Sequence, residues 1–283
     1  MSTMKLKVLS KTGQTLMTCN EDTEVSLVYT APYQPGDFIA LTLDHPGQYC
    51  VVQFEDTMQP VLAYIAKPEV CFTIPTGEQA ITYSPKSFTG SRHVIRARFA
   101  TPEEIAQRRN LAFNCYDTHR DLGLYPHASA NVETRGEAVF AARNAIDGVW
   151  ENASHGEWPY QSWGINRDPN AALTVDFGRE VLLDELRITE RADFPHDNYW
   201  VRATVEFSDG SRMEIPLQKT NKPQRIPMEP RRVRSLVLKE LISADGPSPF
   251  PALTRSRLGA WRLTGNEYVR CPLWPPGPWG EPQ

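Results

Sequence analysis

The chain of 283 residues is long enough for about two domains of roughly 150 residues, each burying its own core. Its 40% hydrophobic and 23% charged content excludes a disordered chain, and its formal net charge of -4 argues against nucleic acid as the main partner, which would need clustered Lys and Arg. Two counts are unusual: 24 Pro, roughly 8% against an average near 5%, and 7 Trp, none before Trp150.

Residues 1–9 carry Lys5 and Lys7 among their apolar residues and lack the apolar run of a signal peptide. No 18-residue apolar segment follows, so no membrane span is expected. Cys19, Cys50, Cys71, Cys115 and Cys271 form an odd, scattered set without a Cys-x-x-Cys pair, which suits neither a disulfide framework nor a zinc site. A cytoplasmic location is the resulting expectation. Residues 25–29, 38–43, 49–54, 61–65 and 94–99 are short runs rich in β-branched and aromatic residues. They are punctuated by Pro35-Gly36-Asp37, His45-Pro46-Gly47 and Pro75-Thr76-Gly77. Strands at this spacing without helices between them predict an antiparallel β-sandwich over residues 1–100.

Thr101-Pro102-Glu103-Glu104 joins an N-cap Thr, Pro at the first helical position and Glu at the third. The pattern predicts a helix to about Asn110 within a linker over 101–116. A second β-pattern occupies 117–267. It opens with a short helical candidate over 137–146 closed by Gly148. Strands at 172–177, 182–188, 201–207, 213–217, 233–238 and 258–264 follow, with the hairpin signal Ser208-Asp209-Gly210-Ser211 between two of them. Residues 268–283 form a Pro- and Trp-rich extended tail. The fold class is therefore all-β, two antiparallel β-sandwich (jelly-roll-like) domains joined by a short helix.

Two loops of the second sandwich carry more aromatic and polar groups than a connection needs. Residues 147–168 include His155, Glu157, Trp158, Trp163, Arg167 and Asp168; residues 191–200 include Arg191, Asp193, His196, Asp197 and Trp200. Aromatic faces beside bidentate hydrogen-bonding groups suit a sugar, whose C–H faces stack while its hydroxyls bridge to Asp, Asn, Arg or His. These eleven residues are the candidate ligand-binding set, and the proline-stiffened residues 244–251 are a candidate wall. Trp in a sandwich more often packs the core, and Arg191 and Asp193 could simply pair with each other. His155 with Glu157 and His196 with Asp197 match no strong metal-ligand spacing.

Asn144-Ala145-Ile146-Asp147-Gly148, Trp163, Leu173-Thr174-Val175-Asp176-Phe177-Gly178, Leu182-Leu183-Asp184-Glu185-Leu186-Arg187-Ile188 and Arg262-Leu263-Thr264-Gly265 together resemble the discoidin family. This family is also called coagulation factor 5/8 type C, a galactose-binding-like jelly roll that includes many carbohydrate-binding modules. The resemblance covers about residues 120–266. It implies glycan-binding loops at one end of the sandwich and a structural calcium held by Asp147. Members commonly place a carboxylate where this chain has Ala260. The fucose-binding branch's Arg-x-Asp is matched by Arg191-Ala192-Asp193, with Asn198 where that branch has a second base. The leading expectation is a non-catalytic protein that binds a carbohydrate ligand through these loops. The alternatives are a lyase or hydrolase drawing on His155, Glu157, Asp193, His196 and Asp197, and a structural protein whose tail forms a homo-oligomer interface.

Overall fold

The computed structural model describes residues 3–152, 156–192, 198–246 and 248–261. Alternating burial builds the first sandwich. Its strands are β1 (Met4–Leu9), β2 (Thr15–Glu21), β3 (Glu24–Tyr29), β4 (Phe38–Leu43), β5 (Gln48–Gln53), β6 (Val61–Ile65), β7 (Glu69–Thr73) and β8 (His93–Phe99). All pair antiparallel, in one sheet of order β2-β1-β4-β7 and a facing one containing β6-β5-β8-β3. Leu6 and Val8 from β1 and Ile39 and Leu41 from β4 meet Val25, Leu27, Val52 and Ile95 of the other sheet in one core. β1, β2 and β7 add to the five strands expected from sequence. β2 escapes a pattern reading because it presents no buried residue to the core.

The capping box at Thr101 forms as expected: its hydroxyl accepts from the Glu104 N–H, and the Glu104 carboxylate accepts from the Thr101 N–H. The helix, α1 (Pro102–Ala106), is shorter than expected. Its end is closed by Arg109, whose guanidinium donates to the carbonyls of Glu104, Ile105 and Gln107. The chain then alternates between the sandwiches. β9 (Arg109–Asn110) pairs with the last strand of the second, β10 (Leu124–Tyr125) pairs with β6 of the first, and β11 (His127–Ala130) returns to the second. Cys115 and Tyr116 between them are packed in the first core.

The second sandwich comprises β12 (Trp163–Gly164), β13 (Leu173–Glu190), β14 (Trp200–Phe207), β15 (Arg212–Pro216), β16 (Gln224–Ser243) and β17 (Ala252–Trp261), with β9 and β11 at its margins. β13 and β16 are long enough to serve both layers. Their register shifts between Asp176 and Val181, where Gly178 takes φ +67 and an added Cβ would run into the Tyr125 ring. Leu173, Val175 and Phe177 before the bend and Val181, Leu183, Leu186 and Ile188 after it line one shared core. Residues 137–146 form two 3-10 turns, Ala138–Phe140 and Ala142–Ala145, instead of the expected helix. Side chains take the backbone groups a helix would use: Asn144 donates to the Ala138 carbonyl and Glu133 accepts from the Ala142 N–H.

Within the first sandwich the Glu55 carboxyl, 2% exposed, lies 3.5 Å from the ring of the fully buried His93. Burial pushes Glu55 up to about 7, with Asp56 adding to the rise, and the same burial pulls His93 down. Between about 4.5, its ordinary value, and 7, folded Glu55 keeps a proton that the unfolded chain loses, so its contribution falls as pH rises through that window. Glu55→Gln should match the parent in Tm near pH 4.5 and exceed it by several degrees at pH 8, at roughly 2–4 °C per kcal/mol for a domain of this size. Thermal melts across that range check this, and a loss of equal size at both pH values contradicts it.

Candidate functional site

Two of the expected ligand residues belong to the core. Trp163 and Trp200 are fully buried with ring centroids 6.2 Å apart, and the Trp163 indole donates to the Val132 carbonyl at 3.0 Å. Each opens a strand from its inward face, so neither ring has a free surface. Arg191, 2% exposed, is likewise turned inward, donating to the Tyr160 carbonyl and, at 3.2 Å, to Asn152 Oδ1. It ties the loop around 152–160 to the end of β13 instead of facing solvent. Glu157 is exposed and Trp158 half-buried, while His155, Asp193, His196 and Asp197 lie outside the described residues.

Arg167 and Asp168 stand in a different setting. The Asp168 carboxylate accepts from the Asn170 N–H at 2.8 Å, and Thr134 Oγ1 accepts from the Asn166 N–H at 2.9 Å. Asn131 brackets the same loop through Ala172 N–H and Asn170 O. These bonds hold Asn166 and Arg167 at φ 50 and 60, a left-handed conformation that turns Arg167 outward. Its guanidinium lies 4.3 Å from the centroid of Phe250, a ring 44% exposed. Among the described residues Arg167 has no carboxylate partner. Phe250 sits between Pro249 and Pro251, on a loop held by the Asn198 side-chain amide through the carbonyls of Ala244 and Ser248. The result is a groove of about 340 Å³ lined by Arg135, Phe140, Asn166, Arg167, Pro249 and Phe250. Phe250 was absent from the candidate set; the proline-stiffened loop around it was the one sequence signal for this wall.

A larger cleft of about 770 Å³ lies between the sandwiches. Thr57, Gln59 and Ser84 form its wall on the first, and Trp150, Trp158 and Pro159 its wall on the second. Its floor is a buried polar seam. The Arg143 guanidinium donates to the carbonyls of Asp117 and Cys115 and to Thr82 Oγ1, and lies over the Tyr83 ring. The Gln161 amide bridges the Thr82 carbonyl and Asp147 Oδ2. The Trp158 indole N–H is buried without an acceptor among the described residues.

Asp147 was the expected calcium ligand. One of its carboxylate oxygens accepts from the Val149 N–H and the other from Gln161. Burial pushes it up to about 6 against the opposing pull of Arg143 and Arg255. Arg255, from β17, donates to the Gly148 carbonyl. A carboxylate flanked by two guanidiniums, one of which already occupies the adjacent loop carbonyl, does not fit a calcium ion, which takes six to eight oxygens. Among the described residues no three His, Cys, Asp or Glu gather as metal ligands.

No family model matches this chain, and no curated protein matches it. Among solved structures it is similar to the family 32 CBM from C. perfringens NanJ in complex with galactose, at 14% identity, covering 54% of this chain and 98% of that one with a TM-score of 0.39. It is also similar to a fucose binding module of Streptococcus pneumoniae, at 14% identity over 54% and 98% of the two chains and a TM-score of 0.37. Discoidin II from Dictyostelium discoideum follows at 13% identity, 49% and 56% coverage and a TM-score of 0.39. At these identities and TM-scores the assignment of the fold rests on the strand pairing described above. That pairing defines a protein of two antiparallel β-sandwiches, and the described residues form a groove on the second and a cleft between the two.

Trp200→Ala should cost about 3–5 kcal/mol of stability, as expected for a large buried aromatic, whereas Arg167→Ala should leave the denaturation midpoint almost unmoved. Chemical denaturation of both variants separates core from surface roles. Millimolar calcium or a chelator should shift Tm by less than about 1 °C, because no binding energy would be linked to folding; a rise of several degrees with calcium would contradict this assessment of Asp147.

Proposed function

We propose that the protein binds glycans without catalysis, through the groove at the loop end of the second sandwich. The observation that carries this reading is the exposed Phe250 ring beside an Arg167 guanidinium that no carboxylate among the described residues neutralises. An aromatic face and a planar five-donor fork are the two elements that recognise a pyranose, through C–H stacking and bidentate bonds to neighbouring hydroxyls. Asn166 adds an amide on the same rim, and Arg135 lies over Phe140 at 5.4 Å on the opposite side. The loop is held before a ligand arrives, by Asn131, Thr134 and Asp168 on one side and by Asn198 on the other. Little ordering entropy then opposes binding. A shallow groove of this size suits one or two sugar rings and weak affinity, in the range of roughly millimolar to micromolar.

A glycan array followed by calorimetry on the strongest hit tests the reading. Phe250→Ala and Arg167→Ala should each weaken binding about tenfold or more, equivalent to about 1.4 kcal/mol, with melting temperatures near the parent's. If the folded chain binds no saccharide at millimolar concentration, the reading fails.

A further inference from the structure

The cleft between the sandwiches plays no part in the groove, and its volume is more than twice as large, about 770 Å³ against 340 Å³. Its charged floor is internally compensated. Arg143 is satisfied by carbonyls and a hydroxyl, and Asp147 stands between Arg143 and Arg255. The mouth is different in kind. Trp150 is 43% exposed and Trp158 faces the same space, so flat apolar surface is available. Across from them stand neutral hydrogen-bonding groups: the Ser84 hydroxyl, the Thr57 hydroxyl, which already bonds to Glu55 and Ser87, and the exposed Gln59, whose side-chain amide has no partner among the described residues. The indole N–H of Trp158, which has no acceptor among the described residues, lies in this wall, and leaving such a donor unpaired costs about 1–3 kcal/mol.

From these walls we propose that the cleft is a second saccharide site, built jointly by both sandwiches and taking a neutral oligosaccharide segment. Two aromatic rings on one wall supply stacking surfaces for successive sugars. The Gln59 amide and the Ser84 hydroxyl on the other wall exchange hydrogen bonds with the sugar hydroxyls, and a sugar oxygen that reaches Trp158 as it seats supplies the missing acceptor. Neutral ligands are favoured because an anion entering would meet Glu151 and Asp147, whereas a cation would meet Arg143 and Arg255. The volume lies within the roughly 300–1,000 Å³ of small-molecule sites and accommodates a longer segment than the groove does. The first sandwich is then a part of the binding apparatus, since without Thr57, Gln59 and Ser84 the Trp wall has no facing partner. This site stands independently of the groove's role.

The test is a tryptophan-fluorescence titration of the full chain with neutral tri- to pentasaccharides of glucose, galactose, xylose and N-acetylglucosamine. At least one should quench or blue-shift the emission of the parent protein. Gln59→Ala and Trp150→Ala, both at exposed positions, should each weaken that response about tenfold or more at unchanged Tm, while Phe250→Ala leaves it intact. The proposal is overturned if no oligosaccharide moves the emission of the folded parent. It is equally overturned if Gln59→Ala and Trp150→Ala bind like the parent, or if Phe250→Ala alone abolishes the response. In that last case the groove reading stands while the cleft reading falls.

Discussion

A buried cation, the Arg143 guanidinium, holds the two halves of this molecule together at the floor of their cleft. An unpaired charge at that depth would cost many kcal/mol, so its partners must be in place whenever the chain is folded. They come from three separate regions: Thr82 and Tyr83 of the first sandwich, Cys115 and Asp117 of the connection, and the Asn144 side-chain oxygen on Arg143's own turn of the second. Elsewhere along the seam, Arg179 of the second sandwich reaches Tyr49 of the first, and Arg108 makes a bidentate pair with Asp184. The β9 and β10 crossings reinforce the same arrangement with backbone bonds. The connection is thereby a part of both cores. The cleft owes its shape to this seam, since its floor and both walls are anchored there.

Four arginines show how environment assigns roles to one residue type. Arg143 and Arg191 are buried and donate to protein carbonyls, and Arg255 is turned onto the Gly148 carbonyl beside Asp147. Arg167 is the exposed one of the four, and it stands on an exposed aromatic ring in a loop already braced from beneath. Binding capacity follows from that difference in satisfaction, not from the presence of a guanidinium. The Trp residues divide by the same rule: Trp163 and Trp200 close the core, while Trp150 and Trp158 line a cleft.

Much of the fold can be read from the sequence because its signals are local. Turn chemistry at Pro35-Gly36, Pro46-Gly47 and Pro75-Thr76-Gly77 brackets β4 and nearby strands, and the strict alternation from Leu173 to Phe177 gives the first half of β13 and its stop at Gly178. The rest depends on distant partners. β2 turns only a partly buried Cys19 toward the core, and the two-residue strands β9 and β10 exist only through the strands they meet. Whether Trp163 or Phe250 is exposed is set by the register of β12 and by the loop that Asn198 anchors, and no window around either residue contains that information. Arg191 resembled a sugar ligand in sequence because its partners, Tyr160 and Asn152, are more than thirty residues away.

The most direct measurement of the binding role is amide chemical-shift mapping of the isotope-labelled chain during titration with monosaccharides, beginning with galactose and fucose. The groove reading predicts fast-exchange shifts clustered at Asn166, Arg167 and Phe250, with the buried Trp163 and Trp200 amides unmoved. A well-dispersed spectrum that no sugar perturbs, or one whose shifts avoid these residues, would contradict it.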